Sequence, residues 1–337
     1  MTIQTILKKS IQSVRIDISK FSATMFGMVL GIGGLGSGWR VAAHVWNAPA
    51  IIGETLALTA ASIWSVWFIL YVLKWLHAPD AALAEIKHPI QSFFIVLVPM
   101  TTMITSWSIA PYLPNLAFAL FLAGMAGQLA FTVWGVGGLW MGGRAAETTT
   151  PVLYMPTVGG SFVSAIACGL FGYPEPGLLF FGVGFFSIII MESIILHRLF
   201  AHGIPVALRA TMGIHLAPPA VACVAYLTVT DGPPDRLAFM LFGYALFLAM
   251  VMIRLIPWLR EQPFSLSAWA YSFGVSALPL AALRFVERGH TGIVAKLALP
   301  IFVVSNLIIG WFMIRSLMVA KRYLLPAATP ASNTAAS

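Results

Sequence analysis

The chain has 337 residues, of which 59% are hydrophobic and only 9% charged, and its formal net charge is +8. A soluble domain carries about a quarter charged residues, so this composition excludes a water-soluble globular protein and points to an integral membrane protein. Its two cysteines, Cys168 and Cys223, both lie in apolar windows. They exclude a disulfide framework or a zinc-ligand spacing and read as small buried hydrophobes.

Residues 1–20 hold Lys8, Lys9, Arg15 and Lys20 and read as a cytoplasmic lead-in. Residues 21–318 read as one transmembrane domain, in which windows of about 19 residues give ten apolar spans. These lie near 21–45, 52–74, 89–110, 115–138, 153–172, 178–198, 209–229, 235–256, 266–284 and 292–316. Each is expected to be a helix, because backbone polar groups in lipid must be satisfied within the segment. Residues 319–337, which end in "PAATPASNTAAS", have no core-forming pattern and read as a disordered cytoplasmic tail.

The first span contains "GIGGLG" at 31–36, which has the glycines of a dinucleotide fingerprint. That chemistry needs a preceding strand and a soluble βαβ unit. Inside a membrane span, Gly27 and Gly31 read as helix-contact surface or as lumen lining. The third span carries Pro99, Thr101 and Thr102, and the fifth carries Pro156, Gly160 and Ser161. Glu192, in the sixth span, is the one carboxylate well inside an apolar segment. Its place near a cytoplasmic helix end fits a tie between helices better than a proton relay. His197 and His202 flank Arg198 without the spacing of a metal pair and read as interface residues. In the seventh span His215 stands just before Pro218, where lumen lining and a hydrogen-bonded helix contact both fit. The ninth span, "SAWAYSFGVSALPLAAL", sets Phe273 between Ser272 and Gly274, with Ser276 one turn further on.

Odd and even spans differ in kind. Odd windows contain six prolines (Pro89, Pro99, Pro156, Pro218, Pro219 and Pro279), and even windows contain one, Pro300. The odd windows are also richer in Gly, Ser and Thr and recur about every 60 residues, the mark of five helical hairpins. Proline bends a helix and frees a backbone carbonyl, which is tolerated only where protein or water can satisfy it. The expected fold is therefore an all-α membrane protein of ten helices in five hairpins. An inner ring of five kinked helices surrounds a pore, and an outer ring of five faces lipid. With the N-terminus in the cytoplasm, 14 of the 19 Lys and Arg fall inside and 5 outside, as the positive-inside rule requires. The 19-residue windows counted along the odd spans hold no Asp, Glu, Lys or Arg. An uncharged lumen suits a passive pore with hydrophobic gating rather than a proton-coupled carrier.

The motifs "FGMVLGIGGLGSGW", "VPMTTM", "GQLAF", "TTPVLYMPTV", "RATMGIHLAP", "MLFGY", "MIRLIPW" and "WAYSFGVSA" run in order from about residue 20 to about residue 315. In them the chain resembles the tellurite-resistance/dicarboxylate transporter family, in particular its bacterial TehA branch, related to the plant guard-cell slow-type anion channels. The resemblance implies a homotrimer in which each protomer encloses its own pore, and a phenylalanine gate, here Phe273. The candidates for the pore lining are then Gly27, Gly31, Pro99, Thr101, Thr102, Pro156, Gly160, Ser161, His215, Pro218, Gly274 and Ser276. Ser161 departs from the family pattern, where bacterial members often carry Asn, and so does His215; both bear on selectivity. The function implied is a passive channel for small monovalent anions such as chloride and nitrate, in a bacterial inner membrane with both termini cytoplasmic. Its alternative is a secondary exporter of C4-dicarboxylate, sulfite or tellurite-related anions. The partners expected are small inorganic anions and the lipid bilayer, with no nucleic acid. Neither a cofactor nor enzymatic activity is expected, because no acid/base or metal-ligand constellation stands out.

Overall fold

The computed structural model describes residues 17–262 and 264–324. The expected lead-in before residue 17 and the tail beyond residue 324 lie outside the described residues. Ten long helices follow one another, α1 Gly27–Trp46, α2 Ala50–His77, α3 Gln91–Ile109, α4 Pro114–Trp140, α5 Pro151–Leu170, α6 Pro174–His202, α7 Val206–Val229, α8 Arg236–Leu259, α9 Leu266–Glu287 and α10 Ile293–Leu324. One short helix, Pro79–Lys87, lies between α2 and α3. No strand occurs among the described residues. Nine of the ten long helices are long and apolar enough to cross a membrane. The helix outside that group is α1, where six glycines, Arg40 and His44 dilute the apolar side chains. Helix α10 continues through the first residues of the segment 319–337 assigned to the tail.

Short connections make neighbours in sequence run antiparallel, and each odd helix packs on the even helix that follows it. The two sets differ in burial. In α3, α5, α7 and α9 between 61% and 89% of the apolar window is buried, against 22–28% in the even helices. Helix α1 is also buried over most of its length. The odd helices touch one another in a closed order, α1 on α3, α3 on α5, α5 on α7, α7 on α9, and α9 back on α1. Even helices leave large apolar side chains exposed, among them Leu122, Ile189, Phe247 and Leu307. Such faces suit hydrocarbon.

Each odd helix also starts in a winding other than α. The 3₁₀ segments are Ala23–Phe26 leading into α1, Gln91–Val96 in α3, Pro151–Leu153 in α5, Val206–Leu216 in α7 and Leu266–Tyr271 in α9. In α5 a π turn, Met155–Gly159, follows. The even helices are α-helical along their length. A 3₁₀ run seldom exceeds about four residues, so the odd helices need support from their surroundings.

Even helices provide it for α5 and α9. Pro279 has no N–H to offer the carbonyl one turn back, that of Val275. Ser305 of α10 donates its hydroxyl to that oxygen at 2.7 Å. In α5 the carbonyl of Pro156 accepts from Gln128 Nε2 at 2.9 Å and from Thr132 Oγ1 at 2.8 Å, both on α4. The start of α1 is held by a buried ion pair. Lys74 Nζ lies 2.6 Å from Glu85 Oε2, and Glu85 Oε1 accepts from Ser22 Oγ and from the Ala23 amide, each at 2.9 Å. The short helix Pro79–Lys87 thereby locks the end of α2 to the entry of α1.

Ser305→Ala leaves the Val275 carbonyl without its donor. The expected loss of stability is about 0.6–1.7 kcal/mol, the range for interhelical hydrogen bonds in membranes, read as a lower unfolding midpoint in detergent. In a Pro279→Ala background, where the backbone can supply the missing N–H, the same substitution should cost less. Equal costs in the two backgrounds would contradict this role for Ser305.

Candidate pore and its lining

The five odd helices share one narrow cavity of about 40 Å³. Helix α1 contributes Gly34 and Ser37, α3 contributes Ile104 and Trp107, α5 contributes Val163, Ile166 and Leu170, and α7 contributes Val221 and Val224. Helix α9 contributes Phe273, Ser276, Ala277, Leu280 and Arg284. These five fall at the i, i+3, i+4, i+7 and i+11 spacing of a single helix face. The wall is mostly aliphatic. Its polar groups include the hydroxyls of Ser37 and Ser276, the indole N–H of Trp107, donated to Ser37 Oγ at 3.3 Å, and Arg284 at one end.

The neighbours of Phe273 explain its setting. Ser272 donates to the Gly27 carbonyl at 3.2 Å. A Cβ on Gly31 would come within 2.4 Å of Ser272 Cβ, and a Cβ on Gly274 within 2.8 Å of the Ala217 amide nitrogen. The small residues on either side of Phe273 therefore bring α9 against α1 on one side and α7 on the other. The half-buried ring projects from between these two contacts onto the cavity.

Leu170 and Arg284 also border a wider space of about 460 Å³, together with Gly169, Leu227, Thr228, Asp231, Gly232, Glu287 and Arg288. Arg284 Nη1 pairs with Glu287 Oε2 at 2.6 Å. Arg288 donates to the carbonyls of Leu227, Thr230 and Gly232. Burial, and next the like charge of Arg284, holds the Arg288 guanidinium below its ordinary pKa. Also at this end, Arg40 forks onto Glu54 at 2.9 and 2.8 Å and donates to the carbonyls of Trp107 and Ser108. Tyr112 donates to Glu54 as well, at 2.6 Å, and that bond raises the pKa of the phenol.

A family model for SLAC1, voltage-dependent anion channel, matches residues 20–317. The chain belongs to this family. It is 34% identical over 286 residues to a tellurite resistance protein TehA homolog of Haemophilus influenzae, covering 85% of this chain and 86% of that protein. It is 25% identical over 294 residues to the S-type anion channel SLAH2 of Arabidopsis thaliana, covering 82% of this chain and 55% of the plant protein. The guard cell S-type anion channel SLAC1 of the same plant is 25% identical over 225 residues, 64% of this chain and 40% of that protein. This chain thus spans about half the length, or less, of these plant members of the SLAC1 family.

The other residues singled out in the sequence take several positions in this SLAC1-family fold. Ser276 lines the cavity with Phe273 and donates to the Phe273 carbonyl at 3.1 Å. Gly27, Gly31 and Gly274 form the helix contacts around Ser272 and Phe273 just described. Thr101 and Thr102 turn their hydroxyls onto carbonyls of their own helix, those of Leu97 at 2.7 Å and Val98 at 2.8 Å. Pro99 faces Gly127 of α4, and Gly160 packs against Gln128 of the same helix. Pro156, as noted, bonds to α4. Ser161 and Pro218 are buried within the bundle.

His215 and Glu192 meet. His215 Nε2 lies 3.1 Å from Glu192 Oε1, and Tyr244 donates to the same oxygen at 2.6 Å. Tyr154 donates to the other carboxylate oxygen. One carboxylate of α6 thus ties α5, α7 and α8 to itself. Sequence reasoning had separate cues for the acid and the imidazole and none for the two tyrosines. It also passed over Arg284, which lies one residue beyond the counted window; its i+11 spacing from Phe273 was the available signal.

Glu192→Gln should lower the midpoint of thermal unfolding, since charge-assisted bonds of about 1.5–3 kcal/mol are weakened. Flux measured across a pH series should keep its wild-type dependence. A pH dependence abolished by Glu192→Gln would assign a proton-relay role to this residue instead.

Proposed function

We propose that this protein is a passive channel for small monovalent anions such as chloride and nitrate, closed by the side chain of Phe273. The observation that carries the reading is the shared cavity. All five buried helices contribute one face to it, and the bulkiest side chain that α9 sets on it is Phe273. An aromatic ring in an aliphatic throat blocks by steric bulk and by a surface that disfavours water and ions. Opening then requires the ring to rotate or α9 to shift. Selectivity comes from weak dipoles, from basic residues at the mouths and from the cost of dehydrating the anion. Membership of the SLAC1 family and the anion-channel names of the plant relatives support anions as the transported class. The competing reading, a gradient-coupled exporter, would place Glu192 and His215 in the transport cycle and predicts saturable, proton-dependent flux.

Phe273→Ala should raise basal anion current by about an order of magnitude or more, with assembly preserved, and Phe273→Leu should leave a partial block. The measurement is planar-bilayer current with ion substitution, normalised to folded protein. Truncation of a phenylalanine that merely packs would cost about 3–5 kcal/mol of stability and bring no current. Wild-type currents from folded Phe273→Ala protein would refute the gate.

The proposed assembly is a homotrimer with one pore per protomer in a bacterial inner membrane, both termini cytoplasmic. The charge asymmetry between the two loop sets supports the orientation. Exposed positions on opposite sides test it. An impermeant thiol reagent applied to intact cells should label Thr291→Cys and spare Ala146→Cys, and native mass measurement should give three protomers. Labelling of the second variant alone would invert the topology.

A further inference from the structure

The two spaces described above meet at Arg284, and that meeting point has chemistry the rest of the throat lacks. Along the narrow cavity the wall is Val, Ile, Leu and Ala with two serines, a tryptophan and Phe273. Such a wall offers a dehydrating anion almost no compensation. Arg284 borders both the narrow cavity and the wider space, opposite Leu170. An ion moving from one space to the other passes its guanidinium.

Its neighbours leave Arg284 the donor with spare capacity. Arg40 spends its fork on Glu54 and two carbonyls. Arg288 spends its two Nη groups on the carbonyls that close the α7–α8 connection. Arg284 has one carboxylate partner, Glu287, three residues on. Its Nε is buried and has no hydrogen-bond partner among the described residues. A buried donor left unpaired costs free energy, which an acceptor recovers once the side chain turns that N–H toward the cavity. The side chain is only 20% exposed, so its charge acts with less screening than a free surface arginine.

We propose that Arg284 is an anion-binding site at the mouth of the cavity, with Glu287 as its built-in competitor. The inference rests on the channel reading given above and adds the group that selects the ion. The wider space carries Arg284 and Arg288 against Asp231 and Glu287. Opposite charges therefore balance, and Arg284 is the guanidinium of this space whose unpaired donor is also buried. An arriving chloride or nitrate takes a place at Arg284 that Glu287 partly fills. Occupancy is thus favourable enough to admit the ion and weak enough to release it, the balance that conduction requires.

Two measurements test the site, one of which does not depend on conduction. The first uses purified protein in detergent at constant ionic strength, with gluconate exchanged for chloride or nitrate. The wild type should gain thermal stability in the small anion, Arg284→Gln should lose that gain, and Glu287→Gln should enlarge it. The second uses bilayer conductance in the Phe273→Ala background. At low chloride, Arg284→Gln should reduce anion conductance about tenfold, the equivalent of one charge-assisted hydrogen bond, and the deficit should shrink at molar chloride. Glu287→Gln should move half-saturation to lower chloride, and Arg284→Lys, which keeps the charge without the fork, should fall between. Arg284→Lys also serves if Arg284→Gln fails to fold. An anion-dependent stabilisation that survives in Arg284→Gln, or a conductance curve unchanged by it, would overturn the proposal. A silent Phe273→Ala channel whose anion stabilisation still depends on Arg284 would overturn the gate and leave the site standing.

Discussion

A backbone carbonyl in hydrocarbon has no water to turn to, and that constraint orders this bundle. Five helices leave α winding for part of their length, and each departure frees polar groups that the protein itself must satisfy. Ser305 answers Val275, and Gln128 and Thr132 answer Pro156. These donors sit on even helices, so α5 and α9 each have a regular partner at the back. The burial difference between the two sets follows. The helices that could not face lipid are enclosed by those that can.

The middle of the enclosed set is mostly aliphatic, and polar clusters brace it at both ends. Near one end Glu192 gathers Tyr154, His215 and Tyr244 from three neighbouring helices. At the other, Arg40 and Glu54, with Tyr112, bind the ends of α1, α2 and α3. Between them the contacts are those of small residues, with Gly31 against Ser272 and Gly274 against α7. Close approach of backbones supplies the packing there, and the one large ring set among them has the cavity as its free direction.

The sequence carried the helix count, the hairpin period and the division into buried and exposed sets, because proline and glycine must be enclosed and long aliphatic runs need not be. Helix α1 shows the limit of hydropathy alone. It lies where a span was expected, yet its glycines keep it outside the nine helices that pass by length and composition. The hydrogen-bond partners were less legible. Ser305, Gln128 and Tyr244 stand on even helices, and what they do is fixed by contacts distant in sequence. The pairing of Lys74 with Glu85 was hidden for a different reason. Both stand near a predicted loop, where charges are ordinarily solvated, and only the short helix Pro79–Lys87 buries them.

The junction between windings in α9 has a mechanical consequence. A 3₁₀ helix turns about 120° and rises about 2.0 Å per residue, and an α-helix turns about 100° and rises about 1.5 Å. Moving the junction by one residue therefore rotates everything beyond it by about 20° and draws it in by about 0.5 Å. Phe273 is the second residue past that junction, which falls between Tyr271 and Ser272. Such a junction would act as a screw thread, in which a small rewinding upstream becomes a rotation of the ring. The turn of the ring comes with an axial shift of α9 of only about 0.5 Å per residue rewound.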